Sequence, residues 1–481
     1  VSVPADPENF DLVIIGRGAA AFSAAIKASE LSGGEMTIAM VGYGPLGGTC
    51  VNVGCVPSKY LLEASHRVHN PLHPRMRGIY GTEVRHSFSE VMEGLRQYVK
   101  NARETKYSKV IENYDNVTVF EGRARFTGKR TVEVVDIDGN SIGALKGANV
   151  LIATGSHPSE PPVEGLRDAG FLTSDTIWSI NELPSSVAII GAGSIGLEIG
   201  QALLHFGSRV TVVDVLDTLL PQSEPEIRSS MRQLLESEGM LIHLSSRVTR
   251  AGRSGKHKFL DISTPDGLKR IDVDEIIVAT GREPNTRYLN LEAAGVETDG
   301  HGGIITDLSM RTSARGVYAA GDCISKDLFL ETLAAREGVV AVANMFGEGI
   351  SIDYNSTPWA VFTQPQIAGV GATEEKYSRE NGSCESRTLP LENLTLAGIT
   401  GETEGLVKIV TDSLDGNIVG MHIMAPDATN LIMEGVYAIR NGLNVDDIIS
   451  TSHIFPSFSE GVKLSAQSFI RDISRMSCCM E

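Results

Sequence analysis

Short apolar runs, each closed by glycine and followed by a helical pattern, organise this chain. The first is "DLVII", Asp11 to Ile15, which reads as a buried parallel strand. "GRGAAA" follows and opens a helical pattern that continues to Glu30. This turn has the form G-x-G-x-x-A, with Gly16, Gly18 and Ala21 at its three key positions. Gly16 permits the tight turn, Gly18 leaves room for a pyrophosphate, and Ala21 lets helix and strand pack closely. The phosphate would lie on the helix N-terminus, where backbone N–H groups point at it. The second strand, "TIAMV", ends at Gly42. A dinucleotide site ordinarily has an acidic residue there for a ribose hydroxyl, so the adenosine ribose must be held some other way.

The same pattern recurs in "SVAIIGAGSIGLEIGQALLHFGSRVTVVDVLD". Gly191, Gly193 and Gly196 form a full G-x-G-x-x-G, and the next strand, "RVTVVD", ends at Asp214. A carboxylate there accepts hydrogen bonds from a ribose 2′-hydroxyl and repels a 2′-phosphate, which favours NADH over NADPH. "LIATGS" (Leu151 to Ser156) and "IIVATGREPN" (Ile276 to Asn285) read as the crossings between two domains. "GVYAAGDC" is a strand ending at a turn, with Asp322 placed to bond a sugar or ribityl hydroxyl.

Composition narrows the class. The 481 residues are 42% hydrophobic and carry a net charge of −18. That balance argues against nucleic acid as the main partner. No apolar run reaches the ~18 residues of a membrane span, and the acidic, polar start "VSVPADPENF" is no signal peptide, so a cytoplasmic protein is expected. The six cysteines, Cys50, Cys55, Cys323, Cys384, Cys478 and Cys479, are too few for a disulfide scaffold. Closely spaced pairs then point to redox or metal chemistry.

Cys50 and Cys55 bracket four residues in "GPLGGTCVNVGCVPSKYLLEA". Pro57 suits the first turn of a helix. A thiol near that helix start is expected to have a lowered pKa, through the dipole and Lys59.

"GGTCVNVGCVPSK" resembles the redox-active disulfide segment of the pyridine nucleotide–disulfide oxidoreductases. The glycine folds at Gly16 and Gly191, then "ATGS", "ATGR" and "AAGDC", match that family in order, from about Phe10 to the C-terminus. The resemblance implies an α/β architecture with two Rossmann-like domains, for FAD and NAD(P)H, and a C-terminal α+β dimerisation domain. The FAD domain would take residues 1–155 and 281–350, the NAD(P)H domain 156–280, and the dimerisation domain 351–481. Gly48, Thr49, Thr154, Gly155 and Asp322 would adjoin FAD, and Gly281 would be a further cofactor-binding residue. Cys50 would be the interchange thiol and Cys55 the charge-transfer thiol beside the flavin. Lys59 would lie near the flavin N5, paired with Glu198 by the nicotinamide.

"SHIFPSFSEGVKL" separates the family's branches. Disulfide reductases carry a His-Pro there, followed four residues later by Glu, and that His shuttles protons to thiols. Here Phe455 precedes Pro456, Glu460 remains, and His453 lies two residues upstream. The chain ends in "MSCCME", whose vicinal thiols suit a soft metal ion. Together with "VFTQPQIAGVG", "SRTLPLENL" and "AIRNGL", these features resemble the Hg(II)-reducing branch. That resemblance implies a homodimer with shared active sites. Cys478 and Cys479 of the partner subunit would draw Hg(II) from thiol complexes and pass it to Cys50 and Cys55. Two residues depart from the branch: Ser457 and Phe171 stand where tyrosines are usual. The alternatives are a thiol–disulfide reductase, like thioredoxin reductase or dihydrolipoamide dehydrogenase, and a metal-sequestering protein without turnover. His66, His69 and His73 read as a surface helix end, Cys323 as buried packing, Cys384 as a spare loop thiol, and "EGVYAIRNGL" as dimer-interface packing.

Overall fold

The computed structural model describes residues 7–475, without the Ser474 side chain. Two compact units form. The first gathers the chain up to Pro57, then Glu93–Ser159 and Gly281–Asp353. The second gathers Ser58–Met92, Glu160–Thr280 and the chain from Tyr354 onward. The segments expected at 156–280 and 351–481 thus share one unit, and residues 58–92 go with them.

In the first unit, strand Glu8–Ile15 lies between Ile38–Gly42 and Ser141–Ile152, parallel to both. Leu12, Val13 and Ile14 are wholly buried, as a strand covered on both faces requires. Val117–Glu121 extends the sheet beyond Ile38–Gly42 in parallel register, pairing Gly42 with Glu121. On the other side Thr131–Val135 and Arg123–Gly128 continue it antiparallel. The short strand Val317–Ala319 pairs parallel with Ser141–Ile152 and delivers the turn that holds Asp322. Helix Ala19–Ser32 packs on helix Glu331–Met345. A side chain at Gly338 would meet the Ala20 carbonyl at 2.3 Å, so only glycine allows this approach. Ser156–Pro158 and Arg282–Pro284 pair antiparallel where the two crossings were expected.

In the second unit, a parallel sheet runs Leu241–His243, Arg209–Val213, Ser186–Ile190, Glu275–Val278, Leu172–Thr173. Helix Ser194–His205 follows its central strand. The C-terminal sheet is antiparallel throughout, with Cys384–Pro390 on its edge. Cys384 therefore opens a strand, and is not the loop thiol expected. Val407, Ile409, Met421 and Ile423 are wholly buried in its core. Lys408 is buried among them, its Nζ 3.1 Å from Glu224 and 2.8 Å from both Glu226 and Glu374. Burial disfavours its charge, but the three carboxylates outweigh burial and raise its pKa. This cluster ties the C-terminal sheet to the segment before helix Pro225–Ser237. Among the described residues, no helix is long and apolar enough to cross a membrane.

Candidate active site

Helix Gly48–Asn52 carries Cys50, and Cys55 opens helix Cys55–His69. The two cysteines are thiols and not a disulfide; Cys50 is half-buried and Cys55 exposed. Asn52 braces the loop, donating from Nδ2 to the carbonyls of Leu46 (2.9 Å) and Gly48 (2.8 Å). The Cys50 thiol donates to Glu331 Oε2, and the Tyr107 hydroxyl donates to Glu331 Oε1 at 2.9 Å. Tyr107 is itself held edge-on by Phe22, with ring centroids 5.0 Å apart. The two sulfurs and a Glu331 oxygen all lie within 4.8 Å of one another. The hydrogen bond with Cys55, burial and the Glu331 carboxylate together push the Cys50 pKa well up. A carboxylate accepting the S–H bond favours the thiol, and Lys59 spends its charge elsewhere.

The first glycine turn makes a cradle for a dinucleotide phosphate. Gly16 adopts φ +134°, and a Cβ there would lie 2.0 Å from the Ala153 carbonyl. A Cβ on Gly48 would lie 2.6 Å from Gly18 Cα. Helix Ala19–Ser32 starts at Gly18 with no side-chain cap and no acid in its first turn. Its end is thus open to an anion, which fits the pyrophosphate of FAD. Ala21 is fully buried against the strand. Thr49 follows Gly48, and Thr154 with Gly155 (φ +67°) closes the central strand's end. Asp322 accepts from Ser156 Oγ at 2.9 Å. An acid, Glu121, stands beside Gly42 on the neighbouring strand. Arg17 fills the space a Gly42 side chain would need, and its Nη1 donates to Glu121 at 2.6 Å. The Gly44 amide also donates to Glu121, at 3.3 Å.

In the second unit, Lys59 Nζ donates to Glu198 Oε2 at 2.6 Å and lies 4.3 Å from the Phe362 ring centroid. Glu198 is buried, and its other oxygen accepts the Phe362 amide at 2.9 Å. Gly191 and Gly196 bring strand, turn and helix together; a Cβ on Gly196 would lie 2.1 Å from the Gly191 carbonyl. Gly193 caps helix Ser194–His205 without a side-chain bond, leaving its N-terminus open like the first. Asp214 accepts from the Ala192 amide at 2.6 Å and the Leu216 amide at 2.8 Å, which fixes a carboxylate at the strand end. Gly281, at φ +101°, starts the return crossing in the first unit.

Residues 10–347 match the pyridine nucleotide-disulphide oxidoreductase family, and residues 357–466 match that family's dimerisation domain. The chain belongs to the pyridine nucleotide-disulphide oxidoreductase family. Among curated relatives it is 36% identical to a mercuric reductase of Streptomyces lividans, covering 98% of both chains. It is 35% identical to one of Lysinibacillus sphaericus, covering 98% of this chain and 85% of the relative. Two solved structures share its fold at 24% identity. LpdA from Mycobacterium tuberculosis has a TM-score of 0.85 and coverage of 97% and 100%. The Cu(II) complex of the HOCl-induced flavoprotein disulfide reductase RclA from Escherichia coli has a TM-score of 0.84 and coverage of 96% and 100%.

The family's proton-shuttling position is altered here. Phe455 is half-exposed before Pro456. His453 is held by Glu434, with Nε2 and Oε1 2.8 Å apart, and this contact raises its pKa. It is committed to that carboxylate. Glu460 is buried, one oxygen lacks a hydrogen-bond partner, and burial raises its pKa. Ser457 bonds the Ile454 carbonyl at 2.6 Å, and Phe171 packs on the core beside the nucleotide sheet. Cys478 and Cys479 lie outside the described residues. Cys323 is fully buried, as expected, and burial raises its pKa. Sequence reasoning missed Glu331, Tyr107 and Glu121. Glu331 is 281 residues from Cys50, and no local motif marks it.

Proposed function

We propose that this chain reduces Hg(II) to Hg(0) with electrons from NAD(P)H, using FAD and the Cys50–Cys55 pair. The observation that carries this reading is the 35–36% identity to curated mercuric reductases over 98% of the chain, in a chain where Phe455 occupies the shuttling histidine's place. Bound FAD supplies two-electron transfer from a reduced nicotinamide to a disulfide. Gly16, Gly18 and Gly48 with the open helix end would hold its pyrophosphate; Ala21, Thr49, Thr154, Gly155, Gly281 and Asp322 complete the surroundings. Gly191, Gly193 and Gly196 would hold the nicotinamide nucleotide, and the Lys59–Glu198 pair would orient groups beside it.

Soft thiolates bind soft metal ions, and each ligand must first lose its proton. Glu331 Oε2 takes the Cys50 proton as the metal arrives. The metal then gains two electrons and leaves as a neutral atom, which needs no protonated leaving group. Cys478 and Cys479 of the partner subunit would deliver the ion in a homodimer. The match to a dimerisation domain supports that assembly, as do the exposed Met433, Tyr437, Ile454 and Ile470 in the C-terminal part. Asp214 favours NADH, because a fixed carboxylate repels a 2′-phosphate. A cytoplasmic setting supplies the coenzyme.

Thiol–disulfide exchange is the second reading. Glu331 favours it, since a carboxyl beside the interchange thiol can protonate a leaving thiolate. A substrate panel separates the two. Flavin-loaded enzyme should oxidise NADH with thiol-buffered Hg(II) and do so only weakly with oxidised glutathione, lipoamide or thioredoxin. Fast disulfide turnover, with Hg(II) acting only as an inhibitor, would overturn the metal reading. A Cys478→Ala/Cys479→Ala variant that handles thiol-bound Hg(II) normally would remove the delivery role.

A further inference from the structure

At the end of its second strand a dinucleotide fold ordinarily presents a carboxylate to the adenosine ribose. Strand Ile38–Gly42 presents Gly42 there. Another side chain holds the space. A Cβ on Gly42 would lie 2.7 Å from Arg17 Cγ and 3.0 Å from its Cδ. An acid at position 42 and an arginine at position 17 therefore exclude each other as packed. Arg17 stands between Gly16 and Gly18 of the phosphate turn, and its side chain is only 7% exposed. A buried guanidinium needs partners. Its Nη2 donates to the Phe120 carbonyl at 2.6 Å. Its Nη1 donates to the Gly44 carbonyl at 3.0 Å and to Glu121 Oε2 at 2.6 Å.

Glu121 ends the neighbouring strand Val117–Glu121, in a register that pairs it with Gly42. Adjacent strands lie about 4.8 Å apart, a gap that a glutamate side chain can cross. Here it does cross. Glu121 Oε1 accepts the Gly44 amide at 3.3 Å, just past the end of strand Ile38–Gly42. A carboxylate offers about four acceptor positions. Arg17 and Gly44 take one each, on different oxygens. The Glu121 side chain is 62% exposed, so the remaining positions are within reach of a ligand.

We propose that Glu121, held in place by Arg17, is the acceptor for the adenosine ribose hydroxyls of FAD. The inference rests on the first glycine turn being the FAD site and adds the ribose contact to it. The vicinal hydroxyls of adenosine each donate a hydrogen bond, and the free acceptor positions of Glu121 suit both. Arg17 is a positioning residue. Its stem fills the place of the strand-end acid, and its charge fixes the carboxylate that serves instead. Glycine at 42, arginine at 17 and glutamate at 121 are then one arrangement. If Glu121 served only to neutralise Arg17, flavin binding would not depend on the ribose hydroxyls.

The test loads the full chain with FAD, or with an FAD analogue whose adenosine ribose is 2′-deoxy, and follows flavin release by fluorescence. Wild-type protein should hold FAD at least about ten-fold more tightly than the analogue, the usual worth of a hydrogen bond to a charged group. Arg17→Ser/Glu121→Ala removes the acid and its partner together, and should bring that ratio to within about two-fold of one. Adding Gly42→Glu to this pair should restore the ratio, because the strand-end acid then has room. Glu121→Gln keeps the shape, drops the charge and should lower the ratio partway. Equal retention of FAD and analogue by wild type would overturn the proposal and leave the FAD site standing. So would an undiminished ratio in Glu121→Gln, or in folded Arg17→Ser/Glu121→Ala protein checked by circular dichroism. No uptake of FAD at all would overturn the underlying reading, and the proposal with it.

Discussion

The clusters Cys50–Cys55–Glu331 and His69–His205–Glu238 each set one carboxylate beside two other donors, yet they are built for different work. In the first, the carboxylate accepts a proton from a thiol that keeps it well above neutral pH. Metal capture there is a proton-coupled exchange at a half-open site. In the second, two stacked imidazoles and a carboxylate oriented by Gln201 hold two helices together. Turnover needs the first arrangement, in which the ligand can be taken up and let go. Structural retention suits the second. The place of the proton sorts the kinetics.

The largest effect should come from Cys50→Ser, which removes a ligand and half the redox pair. Hg(II)-dependent NAD(P)H oxidation should vanish in a stopped-flow assay while coenzyme binding persists. Glu331→Gln comes next. It should lower Hg(II) turnover by about 10²-fold, the usual worth of a positioned base. The sign of the pH effect is fixed by the raised Cys50 pKa: metal capture by reduced wild-type enzyme should rise with pH as the thiol deprotonates. Glu331→Gln withdraws the charge that helps hold that proton. Its Cys50 alkylation midpoint, followed with iodoacetamide and mass spectrometry, should therefore move to lower pH. An unmoved midpoint would mean that Glu331 only positions the loop.

Asp214→Asn tests the coenzyme fold alone. Removing the fixed carboxylate should shift the ratio of kcat/KM for NADPH over NADH upward by roughly ten-fold, equivalent to ~1.4 kcal/mol of like-charge repulsion. The smallest effect belongs to the histidine cluster. His69→Gln should leave Hg(II) turnover within about two-fold, because its ring packs on His73 and His205.

The strand–glycine–helix turns and the paired cysteines were legible because each is a local pattern with a local physical reason. Gly16 must reach a positive φ, and Cys55 starts a helix within a few residues of its partner. Lys59 and Glu198 were legible only through family resemblance, since nothing near either residue announces the pair. Glu121 was hidden for a different reason. It stands beside Gly42 on the adjacent strand, through a register that pairs the two positions. Glu331 reaches Cys50 because Gly338 lets its helix lie against Ala20, a packing fact without a sequence signature. His66, His69 and His73 were visible as a group, but His205 and Glu238 come from the nucleotide-binding segment. Half a cluster reads as a surface.

The central claim is that electrons from the coenzyme leave on a metal atom. The direct measurement is the yield of volatile mercury per coenzyme oxidised, in a sealed anaerobic reaction of FAD-loaded enzyme with NADH and thiol-buffered Hg(II). The account predicts one Hg(0) for each NADH. Coenzyme oxidation without mercury vapour, or none until a disulfide is added, would contradict it.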